Sequence, residues 1–179
     1  YVDNHIPMFD NMYAKRLKAY KQIGYELACG LQIGKQTVNA IYDWDNYSTY
    51  YHKDLLGANN NIIISSPVIS GPKVYELINL LKEKQMSGVQ ITIVTWAPDS
   101  YRFGDAAYWM QLHEDMRQAG FYIKTVEESC ERFAVIDQEV VWYGNINLLA
   151  KDKVDDSIMR VMSKEIASEL MEITFGDNG

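Results

Sequence analysis

The spacing of apolar positions along the chain changes near residue 61. From Met8 to about Leu31, apolar residues recur at steps of three and four, which predicts an amphipathic helix. A shorter, tyrosine-rich segment over residues 46–56 predicts a second helix, and the turn residues Asn59, Asn60 and Asn61 end it. The first part of the chain is therefore predicted to be helical.

Beyond residue 61, short apolar runs alternate with helical patterns. Residues 62–65 form a continuous apolar run, which is typical of a strand buried on both faces. The following segments predict a helix over 72–87, a strand over 89–95, a helix over 105–119 and a strand over 121–125. This alternation indicates parallel strands joined by helical crossovers, with helices on both faces of the sheet.

Two short β-rich runs, 133–136 and 140–143, flank Asp137-Gln138-Glu139 and predict a hairpin. A strand over 157–162 follows, and Ser163 is placed to cap a last helix that runs to about residue 174. The expected fold class is α/β: a mixed, largely parallel sheet flanked by helices on both faces, with an N-terminal helical extension. We expect an extension over 1–58 packed on the core, an α/β domain over 59–175, and a tail over 176–179.

Composition narrows the class of protein. The chain has 179 residues, of which 47% are hydrophobic, enough for one globular domain with a core. No apolar run approaches the ~20 residues of a membrane-spanning helix, so no membrane association is expected. Two cysteines, Cys29 and Cys130, are too few for a disulfide framework, and we expect a cytoplasmic protein. The polar start without Met suggests a fragment of a longer protein.

The formal net charge of -7 argues against a broadly basic nucleic-acid-binding surface. One dense basic cluster lies between Lys15 and Lys21, and a solvated helix face is its favoured interpretation. A local basic cleft is still compatible with the composition.

One motif carries candidate chemistry, and its residues are Cys130, Arg132, Asp137, Gly144, Asn145 and Asn147. Their intervals are those of His-x-Lys-x4-Asp followed, after six intervening residues, by Gly-Ser-x-Asn. The segment therefore resembles the active-site motif of the phospholipase D-like superfamily. Cys130 stands at the family's His, Arg132 at its Lys, and Asn145 at its Ser.

The resemblance implies a phosphodiester site that needs no metal and no other cofactor. In active members two such half-sites meet, one His attacks phosphorus, and Lys and Asn hold the phosphate oxygens. A single half-site implies a second copy, for instance in a homodimer. The positions carried over are catalytic for Cys130, Arg132 and Asp137, and phosphate-binding for Arg132, Gly144, Asn145 and Asn147. Because the His is replaced, we expect a site without catalysis, although an enzyme is not excluded.

Each of these residues also has a structural interpretation. Arg132 can grip phosphate bidentately or form an ion pair with Asp137 or a nearby Glu. Asn147 can donate to a phosphate oxygen or form a turn, and Gly144 provides a backbone shape that larger residues cannot. Asp137 is favoured as the first residue of the hairpin turn.

Cys130 is favoured as an inert, half-buried thiol. Glu127, Glu128 and Glu131 crowd the same segment, and their charges raise a thiol pKa. Arg132 acts in the opposite direction.

The remaining candidates are histidines and aromatic residues. His5, His52 and His113 lack metal-ligand spacing with one another or with cysteine, so no metal site is expected. Trp96 and Trp142 are candidates for stacking on nucleic-acid bases, with core packing as the favoured alternative, less strongly for Trp96.

Longer phrases also resemble a particular branch of the superfamily. They include Tyr13-x-Lys15-Arg16-Leu17-x-x-Tyr20, Lys53-Asp54-Leu55-Leu56-x-Ala58, Ile64-Ser65-Ser66-Pro67 and Val141-Trp142-Tyr143-Gly144-x-Ile146-Asn147-Leu148-Leu149. Together they are similar to the accessory domain C-terminal to the motor of bacterial superfamily 2 (DEAD/DEAH-type) DNA/RNA helicases. No Walker A motif occurs, so an ATPase motor would lie elsewhere in the same polypeptide.

Three hypotheses follow. The chain is a degenerate domain that binds DNA or RNA phosphate or supports assembly of a helicase, a metal-independent nuclease acting as a dimer, or a purely structural interaction module.

Overall fold

The computed structural model describes residues 26–27, 39–101, 104–127, 130–151 and 156–176. The helices are Tyr47–Gly57 (α1), Gly71–Met86 (α2), Ala106–Gln118 (α3) and Lys164–Phe175 (α4), with a short 3-10 turn at Pro98–Ser100. The strands are Glu26–Leu27 (β1), Ala40–Asp43 (β2), Asn61–Ser65 (β3), Gln90–Trp96 (β4), Tyr122–Val126 (β5), Phe133–Ile136 (β6), Val140–Gly144 (β7) and Ser157–Met162 (β8).

Within the described residues, the strands form one sheet in the order β1-β2-β8-β7-β6-β3-β4-β5. The pairs β1/β2, β3/β4 and β4/β5 are parallel. The pairs β2/β8, β8/β7, β7/β6 and β6/β3 are antiparallel. The predicted mixed α/β class is confirmed, but "largely parallel" is not accurate, because only the β3-β4-β5 part and the short β1/β2 pair are parallel. The hairpin after β6 reverses the chain, so β6, β7 and β8 continue the sheet in antiparallel fashion.

The two faces of the sheet are covered by different helices. On one face, strand residues such as Ile62, Ile64 and Trp142 join buried residues of α1, α2 and α3 in the larger core. On the other face, alternate residues such as Ile63 and Val135 pack with α4. Because side chains alternate across a strand and both faces of β3 are covered, Ile62, Ile63 and Ile64 are all buried, which explains the apolar run.

Most predicted elements are confirmed to within one or two residues at each end. The Ile166 amide donates to Ser163 Oγ at 3.2 Å, so Ser163 caps α4 as predicted. Strand β2 was missed because four residues are too short to display a clear alternation. Most of the helix predicted over 8–31 lies outside the described residues, and its two described residues, Glu26–Leu27, form a strand instead.

The β6–β7 hairpin positions the site. Asp137 and Gln138 have φ of 53° and 55°, a left-handed geometry that makes the three-residue connection 137–139 tight, and the Glu139 amide donates to the Ile136 carbonyl at 3.1 Å. Since β6 runs antiparallel to β3, Phe133 pairs with Ser65 at the last residue of β3. The segment before β6 therefore lies at the carboxyl edge of the parallel strands, where α/β sheets commonly bind ligands.

Candidate functional site

An open cleft of about 340 Å³ lies at this edge of the sheet. Its lining residues come from the ends of β3, β4 and β7 and from the start of β6. They are Pro67, Val68, Trp96, Cys130, Glu131, Arg132, Tyr143, Gly144 and Asn145. The fold thus gathers Cys130, Arg132, Gly144 and Asn145 of the predicted site.

The Cys130 thiol is partly buried at the end of β3. Its Sγ lies 3.4 Å from Ser65 Oγ, and Ser65 Oγ donates to the Glu131 carbonyl at 2.5 Å. Burial raises the pKa of the Cys130 thiol, and the nearby Glu131 charge adds to that effect. The hydrogen bond between Ser65 and Cys130 and the Arg132 charge act in the opposite direction without reversing it. A thiol with a raised pKa is mostly protonated at neutral pH and is a poor nucleophile.

Arg132 presents its guanidinium at the cleft. Its Nη1 donates to the Asn145 carbonyl at 2.7 Å, which fixes the side chain against the turn after β7. Among the described residues, no ion pair engages Arg132, so the ion pairs with Asp137 or a nearby Glu do not form there. A guanidinium has five N–H donors, and this arrangement leaves donors available for an anion.

A carboxylate and a phenol form the other polar pair of the cleft. Tyr143 donates its hydroxyl to Glu131 Oε2 at 3.0 Å, and this hydrogen bond raises the pKa of the Tyr143 phenol. The cleft therefore combines a cation with an acidic group that is already hydrogen-bonded. The sequence analysis did not identify this pair as part of the site. The pairing of β6 with β7 sets Tyr143 opposite Phe133, and this register places the Tyr143 phenol beside Glu131.

Gly144 allows β7 and β8 to approach closely. A Cβ at this position would lie 2.5 Å from the Ser157 carbonyl oxygen and 2.8 Å from Ile158 Cα. Any side chain would push the two strands apart, so the glycine is needed for close packing. Asn145 is exposed next to it, and its backbone amide donates to the Ser157 carbonyl at 3.0 Å.

Asn147 is placed differently. Its side chain is 4% exposed, and it is not among the residues that line the cleft. Its carbonyl accepts a hydrogen bond from the Ala150 amide, which fits the predicted turn. Phosphate binding by Asn147 stays a prediction.

Asp137 lies at the opposite end of β6 from Cys130. A four-residue strand spans roughly 13 Å, so Asp137 cannot orient a group at position 130 in this arrangement. Its carboxylate instead accepts hydrogen bonds from the backbone amides of Asn59 and Asn60 at 2.8 Å and of Asn61 at 3.1 Å. The hairpin turn is thereby tied to the turn before β3.

The other sequence candidates lie apart from the cleft or outside the described residues. His52 is 3.6 Å from Glu76 in the helical layer, and His113 is buried in α3. Trp142 is fully buried in the larger core, which confirms its packing role, whereas Trp96 lines the cleft. His5, Cys29 and the basic cluster between Lys15 and Lys21 lie outside the described residues.

The family model for the cardiolipin synthase phospholipase D-like domain matches residues 51–174. The chain belongs to the phospholipase D-like superfamily. The match begins inside α1 and spans every element from there to the last turn of α4.

Solved structures share the phospholipase D-like fold. NucT from Helicobacter pylori superposes with a TM-score of 0.58 at 9% identity, covering 75% of this chain and 91% of its own. The phospholipase D family member Nuc from Salmonella typhimurium gives 0.58 at 13% identity, covering 75% and 88%. TrmBL2, an archaeal chromatin protein, gives 0.55 at 10% identity, covering 93% of this chain and 58% of its own. No curated protein sequence matches the chain.

At the cleft, Arg132 supplies a positive charge, the exposed Asn145 carries a side-chain amide, and burial raises the pKa of the Cys130 thiol. No helix of the described residues is long and apolar enough to cross a bilayer.

Proposed function

We propose that this chain is a catalytically degenerate phospholipase D-like domain that binds the phosphate backbone of DNA or RNA. The observation that carries the proposal is Arg132, a guanidinium anchored by one hydrogen bond to the Asn145 carbonyl at an open cleft. An arginine held in this way is preorganised for an anion, because little side-chain freedom remains to be lost on binding.

The state of Cys130 supports the absence of hydrolysis. Burial raises its pKa, so the thiolate that would attack phosphorus is scarce at neutral pH. Neither of the two histidines among the described residues lies at the cleft, so neither replaces the missing nucleophile.

The proposal includes attachment to a helicase motor in the same, cytoplasmic polypeptide. Its support is the set of sequence phrases similar to the accessory domain of bacterial superfamily 2 helicases. The parent protein should then unwind DNA or RNA with ATP, and Arg132→Gln should lower the affinity for substrate more than the maximal rate. An Arg132→Gln parent that unwinds with unchanged affinity would contradict this role.

The binding proposal is tested by fluorescence anisotropy with a labelled oligonucleotide over a series of salt concentrations. We expect binding that weakens with salt, because counterions are released when phosphates are contacted. Arg132→Gln should weaken binding by at least about tenfold, since a hydrogen bond to a charged group contributes about 1.5–3 kcal/mol. Arg117→Gln is the matched control, because it removes an exposed arginine of α3 away from the cleft. Equal losses in both variants would show nonspecific attraction and contradict the proposal.

The alternative is a metal-independent nuclease that acts as a dimer. The observation in its favour is that Cys130, the candidate nucleophile, lies beside the cationic Arg132 in the cleft. End-labelled single-stranded, duplex and forked DNA, incubated in EDTA, separates the two functions. We expect intact DNA with both the native protein and Cys130→Ala. Cleavage that disappears in Cys130→Ala would establish the nuclease. Failure to bind any nucleic acid would instead leave the structural interaction module.

A further inference from the structure

The cleft has an aromatic wall next to its cation. Trp96 is the last residue of β4, and its partly buried side chain lines the cleft together with Arg132 and Asn145. In the sheet, only β3 separates β4 from β6, so the two sides of the cleft are two strand intervals apart, or roughly 10 Å. That spacing suits one nucleotide of an extended strand, with its phosphate at one side and a base at the other.

The Trp96 indole is braced from behind by other rings. Tyr101 meets it edge-to-face, with ring centroids 6.0 Å apart at 68°. Tyr101 in turn stacks on Trp109 at 4.2 Å and 15°, and Tyr108 packs against Trp109 at 4.9 Å and 67°. These contacts are of the kind that hold aromatic rings in a fixed orientation.

The brace is also anchored by hydrogen bonds. The Tyr101 hydroxyl lies 3.1 Å from Thr95 Oγ1 and donates to the Pro67 carbonyl at 3.3 Å. Trp96 is therefore positioned before a ligand arrives, and the entropy lost on binding is small.

The Trp96 Nε1 is buried and has no hydrogen-bond partner among the described residues. A buried donor without a partner is unfavourable, and a phenylalanine would fill space without that cost. A large indole face at the cleft, kept despite an unsatisfied donor, fits a ligand that stacks on it.

We infer that Trp96 is a stacking platform for a nucleobase, and that the cleft accepts single-stranded nucleic acid in preference to duplex. The inference rests on the proposed phosphate binding at Arg132. It adds that a base stacks on Trp96 and that the bound strand is single. In a duplex the bases stack on their neighbours, so their faces are not free to meet Trp96, whereas a single strand presents them.

The test uses three probes of equal length: oligo(dT), an abasic oligodeoxynucleotide with the same number of phosphates, and a duplex. Anisotropy gives the affinities, and quenching of intrinsic tryptophan fluorescence reports a base on an indole. We expect oligo(dT) to bind the wild-type protein at least about fivefold more tightly than the abasic strand, because base stacking on an aromatic contributes about 1–3 kcal/mol. It should also bind more tightly than the duplex and quench the fluorescence.

Two variants and a control locate the effect. Trp96→Leu should abolish the preference for oligo(dT) over the abasic strand and keep the affinity for the abasic strand. Trp96→Phe retains a ring and should keep part of the preference, which guards against a folding defect in the leucine variant. Tyr122 is an exposed aromatic at the start of β5, at the amino end of the parallel strands. Tyr122→Leu should change neither the affinities nor the preference for oligo(dT).

The outcomes separate this inference from the proposed function. Equal binding of oligo(dT) and the abasic strand, with an Arg132-dependent loss for both, would overturn the platform and leave phosphate binding intact. Binding of neither strand would overturn both. A preference for the duplex, or quenching that persists in Trp96→Leu, would also overturn the platform.

Discussion

At the scale of a single residue, Asp137 of the motif stabilises the fold. Its carboxylate accepts three backbone amides from the turn that precedes β3. Partial burial works to raise the pKa of this carboxyl, but the amides of Asn60, Asn59 and Asn61 together hold the pKa below its usual value. The residue also adopts a positive φ, which Asp and Asn tolerate better than other residues with a Cβ.

We predict that Asp137→Ala lowers the free energy of unfolding by about 1–2 kcal/mol, through lost hydrogen bonds and a strained φ. Asp137→Asn should cost less, since it keeps an acceptor and tolerates the φ. Because the folded pKa is lowered, the contribution is complete above the unfolded pKa of about 3.9 and is lost as pH falls through the folded pKa. Urea unfolding at several pH values measures this.

Asp99→Asn serves as the control for that measurement, because Asp99 is an exposed carboxylate in the 3-10 turn. It should leave both stability and its acid dependence almost unchanged. An Asp137→Ala protein as stable as the native one would show that water replaces the carboxylate without cost.

At the scale of elements, a buried ion pair joins α1 to the sheet. Arg160 of β8 donates to Asp54 of α1 through Nε at 2.6 Å and Nη2 at 2.9 Å. Trp142 of β7 donates its indole N–H to the same carboxylate at 2.8 Å. The Asp54 and Arg160 side chains are only 7% and 6% exposed, so both charges depend on this network. Although α1 falls in the predicted N-terminal extension, its contacts place it in the main core.

We predict that Asp54→Ala lowers the free energy of unfolding by about 3–5 kcal/mol, because it removes the carboxylate that accepts two hydrogen bonds from the buried Arg160 guanidinium. The double variant Asp54→Ala/Arg160→Met should recover part of the loss, since the buried charge that has lost this carboxylate is then removed as well. Lys53→Ala, at the adjacent exposed position of α1, is the control and should change stability little. Chemical denaturation followed by circular dichroism measures all three variants. A cost below about 1 kcal/mol for Asp54→Ala would mean that water reaches the pair.

At the scale of the whole molecule, acid stability depends on a buried histidine. His113 is 1% exposed in α3, and neither ring nitrogen has a hydrogen-bond partner among the described residues. Burial lowers its pKa, and the charge of Arg117 adds to the effect. In the folded protein the His113 imidazole is therefore neutral. In the unfolded chain the same side chain takes up a proton near its ordinary pKa of about 6.5.

We predict that global stability falls as pH drops below about 6.5, with a His113 contribution of up to about 1.4 kcal/mol per pH unit until the folded pKa is reached. The sign follows because the unfolded state binds the extra proton. His113→Leu should flatten this part of the profile of unfolding free energy against pH. His52→Gln should flatten it less, because Glu76 partly offsets the effect of burial on the His52 pKa. A profile unchanged in His113→Leu would contradict the prediction.

Local sequence determined most elements of this protein and the composition of its motif. Periods of two and of three to four residues reflect which face of an element is buried, so they predicted the elements from β3 to α4 nearly to the residue. The same applies to the hairpin turn and the Ser163 cap, which depend on neighbours a few residues away. The resemblance to the family motif implied a common site, and Cys130, Arg132, Gly144 and Asn145 do line one cleft, whereas Asp137 and Asn147 do not.

Tertiary structure alone decided the strand order and the partners of the buried charges. Asp137 meets amides 76–78 residues away, and Asp54 meets an arginine 106 residues away. It also decided that Trp96 lines the cleft while Trp142 is buried, although both precede turns in the sequence. Such contacts depend on which strands pair across the whole sheet. The local hydrophobic period predicts only that a residue is buried, and it does not identify the residues that contact it.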